Sequence, residues 1–207
     1  MSRSLPRLTA AAALALVPLF GIAVSASAAT LTVNYACQSS AAGQTGGGTL
    51  TQTLDATAPA TVKAGGTLSV VLTPAVGTLP TQAGGHTLQS LKDAALTIPI
   101  PANSSYVSSS LSGGSGLNST PTLTKTDNAV VMHVPGPIKG GSTFQLPQLT
   151  LNLTAGTSGT ITSTLGGTSF NDPGLTFTAT VLVVIPVDAP TACYPNPSPT
   201  LTTTTIT

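Results

Sequence analysis

Charge is what this sequence has least of. Only 5% of its 207 residues are charged, glutamate and tryptophan are both absent, and lysine and arginine together number six. An ordinary soluble domain carries about 25% charged residues. Because nucleic-acid binding depends on Lys and Arg clusters that neutralise phosphates, this composition excludes a nucleic-acid partner. The 41% of hydrophobic residues are nevertheless enough to build a core, which excludes disorder of the highly charged kind.

Residues that carry chemistry are equally scarce. His86 and His133 are the only histidines, and their positions provide none of the spacings typical of a zinc site. The five Asp residues are isolated from one another, whereas glycosidases need two cooperating carboxyl groups. We therefore predict no catalytic residue, no metal site and no cofactor. A serine hydrolase is the alternative, since the Ser, His and Asp of a triad meet only in the fold.

The N-terminal region has the features of a secretory signal peptide. Arg3 and Arg7 precede an apolar run over residues 8–24, and Ala26-Ser27-Ala28 supplies the small residues of a cleavage site. The run is interrupted by a proline and a glycine and is short for a membrane span. We predict cleavage after Ala28 and no transmembrane anchor in the mature chain. The mature chain then has four Lys and five Asp, a net charge of 4 − 5 = −1.

The sequence contains two cysteines, Cys37 and Cys193. In an oxidising compartment outside the cell, two such thiols most often form one disulfide. We predict this bridge, and with it a single domain over residues 29–194. The Pro/Thr-rich residues 195–207 have too few apolar side chains to build a core and are predicted to be a flexible tail.

Alternation of apolar and hydroxyl-bearing residues dominates the mature chain. Leu149-Thr150-Leu151-Asn152-Leu153-Thr154 is one example, and this period of two is typical of strands with one buried face. Glycine-rich turns separate such runs. The pattern predicts an all-β fold, an antiparallel immunoglobulin-like β-sandwich of roughly 8–10 strands. At most one short helix is expected, at residues 88–95, where Leu88, Leu91 and Ala95 could share a face.

One segment has the composition of a binding loop. Residues 103–120 are rich in Gly and Ser and are predicted to be either a hairpin with a mobile tip or a long loop, which is where binding surfaces are often found. Tyr106, Leu111 and Leu117 are the apolar side chains that we take as candidates for contact with a ligand.

Several motifs together resemble those of small secreted actinobacterial proteins built on a domain of unknown function. The resemblance implies an exported two-cysteine β-sandwich at or beyond the cell envelope, and it implies no active-site residue. The motifs are Tyr35-Ala36-Cys37, residues 59–72, Leu96-Thr97-Ile98-Pro99-Ile100-Pro101, residues 166–176 and Cys193-Tyr194-Pro195.

Two functions follow as hypotheses. The first is a structural or adhesive binding module without catalytic activity, secreted and extracellular or held at the cell surface, whose partner is a component of the cell envelope. The alternative is a carrier that holds an apolar small molecule such as a lipid between its sheets. The apolar run at residues 181–185 motivates the carrier, and the alternation elsewhere favours the binding module.

Overall fold

A computed structural model describes residues 26–41 and 43–207. Residues 1–25 of the predicted signal peptide lie outside this range, and the backbone of residues 26–28 opens the first strand. The described chain contains strands and no helix. The strands are β1 (Ala26–Ala41), β2 (Gln44–Pro59), β3 (Thr61–Val62), β4 (Thr67–Pro74), β5 (Gly77–Thr78), β6 (Gln82–Ala83), β7 (His86–Pro99), β8 (Ser104–Ser112), β9 (Thr122–Lys125), β10 (Ala129–Val134), β11 (Ile138–Lys139), β12 (Thr143–Phe144), β13 (Gln148–Ala155), β14 (Gly159–Ser163), β15 (Leu175–Leu182), β16 (Pro186–Pro195) and β17 (Thr202–Ile206).

Most of these strands belong to one large antiparallel sheet. Its path is β8-β13-β4-β2-β1-β16-β15-β7-β10-β9, with β6 and β11 also paired to β7. The sheet curls until its two ends face each other, and Lys125 Nζ of β9 lies 5.8 Å from the ring centre of Tyr106 in β8. Two small sheets, β12-β5 and β14-β17-β3, complete the fold. The predicted all-β antiparallel sandwich is confirmed, in a form that is nearly a closed barrel, whereas the immunoglobulin-like assignment is not confirmed.

The core is built from the alternation seen in the sequence. In β13, Leu149, Leu151 and Leu153 are buried, while the residues between them are partly exposed. The same alternation holds in β4 and β10, so that each strand contributes one apolar face to the interior of the curled sheet. Thr, Ser and Asn on the other face hydrate a surface that has few charges.

The sequence allowed at most one short helix, at residues 88–95, and no helix forms there, because the segment is part of β7. Its pairing with β15 contains two register shifts, and each places an extra residue in β7: one at Gln89 and one between Lys92 and Ala95. A β-bulge inserts one extra residue into one strand of a pair, and it therefore interrupts the alternation of inward and outward side chains along that strand. Leu88 and Leu91 therefore lie on the same side of the sheet although they are three residues apart. A spacing of three residues is also typical of one face of a helix.

The flexible tail expected at residues 195–207 is wrong over its second half. Residues 202–206 form β17, which pairs with β14 and runs parallel to β3. Leu201 and Ile206 are buried together with alternate threonines of the tract. The buried hydroxyls have partners: Thr202 Oγ1 lies 2.5 Å from Ser163 Oγ, and Thr204 Oγ1 donates to Pro59 O at 2.6 Å. A Thr tract is thus able to form an inner strand, because threonine favours strands and its hydroxyls are satisfied here.

The predicted disulfide between Cys37 and Cys193 is confirmed. The two residues are direct cross-strand partners in β1 and β16, with Cα atoms 4.1 Å apart, and both are buried. The bridge joins the first strand to the strand before the last, since β17 follows β16.

Tyr35 of β1 combines a buried ring with an unpartnered hydroxyl. Its side chain is almost fully buried, and among the described residues its Oη is the one buried side-chain polar atom without a hydrogen bond. Burial raises the pKa of Tyr35 above its ordinary value, because a phenolate would be poorly solvated there.

We expect this hydroxyl to make the protein alkali-sensitive. The unfolded chain releases the Tyr35 proton above about pH 10 while the folded chain keeps it, so stability falls as pH rises past that value, by about 1.4 kcal/mol per pH unit. Urea unfolding between about pH 8 and about pH 11 measures this slope, and Tyr35→Phe should reduce it. At neutral pH the same variant should be unchanged or more stable by about 1 kcal/mol, since it removes an unsatisfied group. Tyr106→Phe, which removes a hydroxyl bonded to Ser109 Oγ at 3.0 Å, is the control. An equal alkaline slope in Tyr35→Phe and the parent would contradict the assignment.

Candidate functional site

The most unusual surface feature is the turn of the hairpin formed by β15 and β16. Pairing runs up to Leu182 opposite Pro186, and residues 183–185 form the turn. We call residues 182–185 the apolar tip. Its side chains are large, apolar and exposed: Leu182 38%, Val183 51%, Val184 89% and Ile185 67%.

The apolar tip extends beyond the neighbouring strands. On one side, β16 pairs with β1 only from Thr191 onward, so residues 186–190 have β15 as their one partner strand in the described chain. On the other side, β15 pairs with β7 up to Leu182 opposite Thr87. Among residues 26–41 and 43–207, no strand therefore pairs with the turn on either side.

The two ends of the described chain lie away from the apolar tip. Ala26, the first residue of β1, pairs with Pro59 of β2. It lies nine residues before Tyr35, whose partner Pro195 is the last residue of β16. Thr207 N–H donates to Val62 O at 2.8 Å, close to the same end of β2. The apolar tip thus occupies the opposite end of the sheet.

A polar group of residues lies just behind the apolar tip. Lys92 Nζ lies 2.8 Å from Asp188 Oδ2, and Thr180 Oγ1 donates to Asp188 Oδ1 at 2.7 Å. The hydrogen bond from Lys92, with that from Thr180, lowers the pKa of Asp188. The residues from Leu175 to Val187 include no charged side chain. The nearest charges on the two paired strands are those of Asp188 and Lys92, and they neutralise each other.

The position of this apolar run removes the observation that motivated the carrier hypothesis. Val181 is buried, but the following four residues point out at a hairpin turn instead of lining a space between sheets. The two best-formed pockets of the described chain are open to solvent. The first, an open groove of about 380 Å³ along β1, β16, β15 and β7, is lined by polar residues such as Gln38, Ser40 and Asp93 together with the apolar Phe177, Pro190 and Ala192.

The structure separates the three residues expected in a binding loop. Tyr106 and Leu111 lie in edge strand β8, partly buried against the core, whereas Leu117 is buried at 5% exposure and is not available to a ligand. The expectation for Leu117 is therefore wrong, because this side chain fills the core. In β8 the register shifts at Val107, and bulges on edge strands hinder the addition of a further strand. Roles for Tyr106 and Leu111 in binding stay predictions.

The potential catalytic groups stay dispersed. Within residues 26–41 and 43–207, neither histidine makes a side-chain hydrogen bond, and no three His, Cys, Asp or Glu side chains cluster as a metal site would require. Asp172 holds a turn, where it accepts from Thr168 Oγ1 at 2.8 Å. In the same part of the chain, no helix has the length and hydrophobicity that a membrane span requires.

Sequence reasoning placed the apolar tip inside the protein. The signal that could have identified it is the loss of alternation: residues 181–185 are five consecutive large apolar residues before Pro186. In a sheet with one buried face, such a run must expose some of its members.

No family model matches this chain, and no curated protein matches it. Among solved structures, a protein of Corynebacterium diphtheriae described as membrane anchored is similar, with a TM-score of 0.58 and 19% identity over 86% of this chain. The present chain spans only 38% of that protein. The similarity shows a shared fold, and the source of the similar protein agrees with the expected resemblance to actinobacterial proteins. The expected domain of unknown function is not confirmed, because no family model matches the chain.

Proposed function

We propose that the protein is a non-catalytic binding module that acts outside the cytoplasmic membrane, at the bacterial cell envelope, in a structural or adhesive role. The observation that carries this proposal is the apolar tip. Contiguous exposed apolar surface is a mark of interaction sites, because it is costly in water unless a partner covers it.

Two further observations support the location. A buried disulfide is typical of proteins that mature in an oxidising compartment. The similar protein of Corynebacterium diphtheriae is described as membrane anchored. The dispersed histidines and isolated aspartates favour binding over catalysis, since a catalytic site requires such groups within hydrogen-bonding reach of one another.

Binding to isolated envelopes tests the proposal. Fluorescently labelled protein, purified from a secreting actinobacterial host, is incubated with washed envelopes of the same host. We expect saturable binding that unlabelled protein competes away. Heat-unfolded, reduced protein is the control, since it should not compete.

A catalytic role is tested in parallel with ester, peptide and glycoside substrates. The protein should release no more product than the variant that carries both His86→Ala and His133→Ala. Absence of envelope binding, or turnover that disappears in this double variant, would overturn the proposed function.

A further inference from the structure

We propose that the apolar tip, residues 182–185, inserts into the headgroup and acyl boundary of a lipid bilayer. This inference rests on the proposed function and names the component of the envelope that the hairpin contacts.

The shape of the apolar tip favours a fluid partner. Val184 and Ile185 are the most exposed large apolar residues of the described chain, at 89% and 67%, and they stand on a convex turn. A small apolar ligand requires a concave site that surrounds it. A bilayer requires no such complementarity, since lipid chains rearrange around whatever side chains enter.

The hairpin is apolar at its turn and polar behind it, which matches the change from acyl chains to headgroups at the surface of a bilayer. Asp188 lies three residues beyond Ile185, a distance of about 10 Å along a strand. Peripheral segments bury their apolar faces about 5–10 Å into the boundary between headgroups and acyl chains. With the apolar tip inserted to that depth, the Asp188–Lys92 pair and Thr180 lie at the level of the headgroups and water.

The backbone of the turn sets a limit on how deeply the apolar tip can insert. Val183 N–H donates to Ile185 O at 3.3 Å, and Pro186 has no N–H. Unsatisfied backbone groups are the main obstacle to inserting a non-helical segment into hydrocarbon. Insertion no deeper than the boundary between headgroups and acyl chains leaves the other backbone groups of the turn within reach of headgroups and water.

The charge distribution selects the kind of lipid. The hairpin from Leu175 to Val187 is uncharged, and the nearest charged pair is internally neutralised. Such a surface complements zwitterionic or uncharged headgroups and gains little from anionic ones. We therefore expect binding to depend on burial of side chains and only weakly on lipid charge or salt.

Flotation with unilamellar vesicles of phosphatidylcholine tests the inference. The parent protein should float with the vesicles, and Val184→Asp should lower the partition coefficient by about tenfold or more, since it replaces burial of a valine by burial of a charge. Val107→Asp is the matched control: Val107 is 55% exposed but lies in β8, away from the apolar tip, and its variant should partition as the parent does. Addition of phosphatidylglycerol should change the parent's partition less than about threefold.

A second variant supplies a readout that does not depend on loss of binding. The chain has no tryptophan, so Val184→Trp introduces a single indole. Its emission should shift to shorter wavelength with vesicles and be quenched by brominated acyl chains, whereas the emission of Val107→Trp should not change. Thermal unfolding of all four variants checks the fold, which substitution at exposed side chains should leave intact.

The outcomes separate the two proposals. If the parent binds envelopes but not vesicles, or if Val184→Asp and Val107→Asp partition alike, the lipid inference is overturned while the proposed function stands. Loss of self-association in Val184→Asp without any vesicle binding would instead identify a second copy, or another protein, as the occupant. Vesicle binding without any binding to envelopes would overturn the proposed function, whereas the affinity of the apolar tip for lipid would stand.

Discussion

The variant with both Cys37→Ser and Cys193→Ser is expected to lose about 5 kcal/mol of unfolding free energy. The two residues are 156 positions apart, and a bridge that closes so long a loop lowers the conformational entropy of the unfolded chain by the entropy of closing that loop. Domains of ordinary size have a total stability of about 5–15 kcal/mol. We therefore expect the double variant to be close to unfolded at moderate temperature, as measured by urea unfolding.

A neighbouring pair on the same two strands provides the control. Ser39 Oγ lies 2.8 Å from Thr191 Oγ1, two residues along each strand from the bridge. Ser39→Ala removes a local side-chain contact without changing chain connectivity, and it should cost about 1 kcal/mol. A double cysteine variant that loses no more than Ser39→Ala would show that the bridge does not determine stability. Reduction of the parent under unfolding conditions should reproduce the effect of the double variant.

The bridge was predictable because it needs only two features of the sequence, a predicted export signal and a pair of thiols. The β class was predictable for a similar reason, since alternation in segments such as β13 reports directly on one buried face. Both inferences concern the local pattern or the compartment, and neither requires knowledge of which strands are neighbours.

The predictions that failed depend on neighbours. The bulges of β7 arise from its register with β15, so the sequence of β7 alone was compatible with a helical turn. The threonines of β17 become buried only because β14 and Pro59 satisfy their hydroxyls. The loss of alternation over residues 181–185 indicates that some of these side chains are exposed, but which of them are exposed depends on where β1 and β7 stop pairing.

Gly174→Ala is the second substitution with a large expected effect. Gly174 lies at the start of β15, in a loop that folds back so that backbones meet. A Cβ at this position would overlap the carbonyl oxygen and carbon of Gly166. The φ of Gly174 is not in the left-handed region, so the expected penalty is steric and not conformational.

Neither partner in this overlap is free to move. Gly174 N–H donates to Cys193 O at 2.9 Å, Gly174 O accepts from Thr97 N–H at 2.8 Å, and Gly166 N–H donates to Thr97 O at 3.0 Å. Relief of the overlap would break bonds that connect the loop to β7 and to the residue of the disulfide. We expect a loss of about 3–5 kcal/mol, at or above the usual cost of overpacking, because backbone cannot change rotamer.

Gly46→Ala is the matched control for this prediction. Gly46 lies in β2 with an ordinary φ, and a Cβ there would meet no atom within 4 Å. Because alanine restricts the unfolded chain more than glycine does, this variant should be unchanged or slightly more stable. Equal midpoints of urea unfolding for the two variants would mean that the Gly166 loop yields easily, and the loop could not then hold the base of β15. A loss confined to Gly174→Ala would instead identify this backbone contact as the support from which the hairpin and its apolar tip extend.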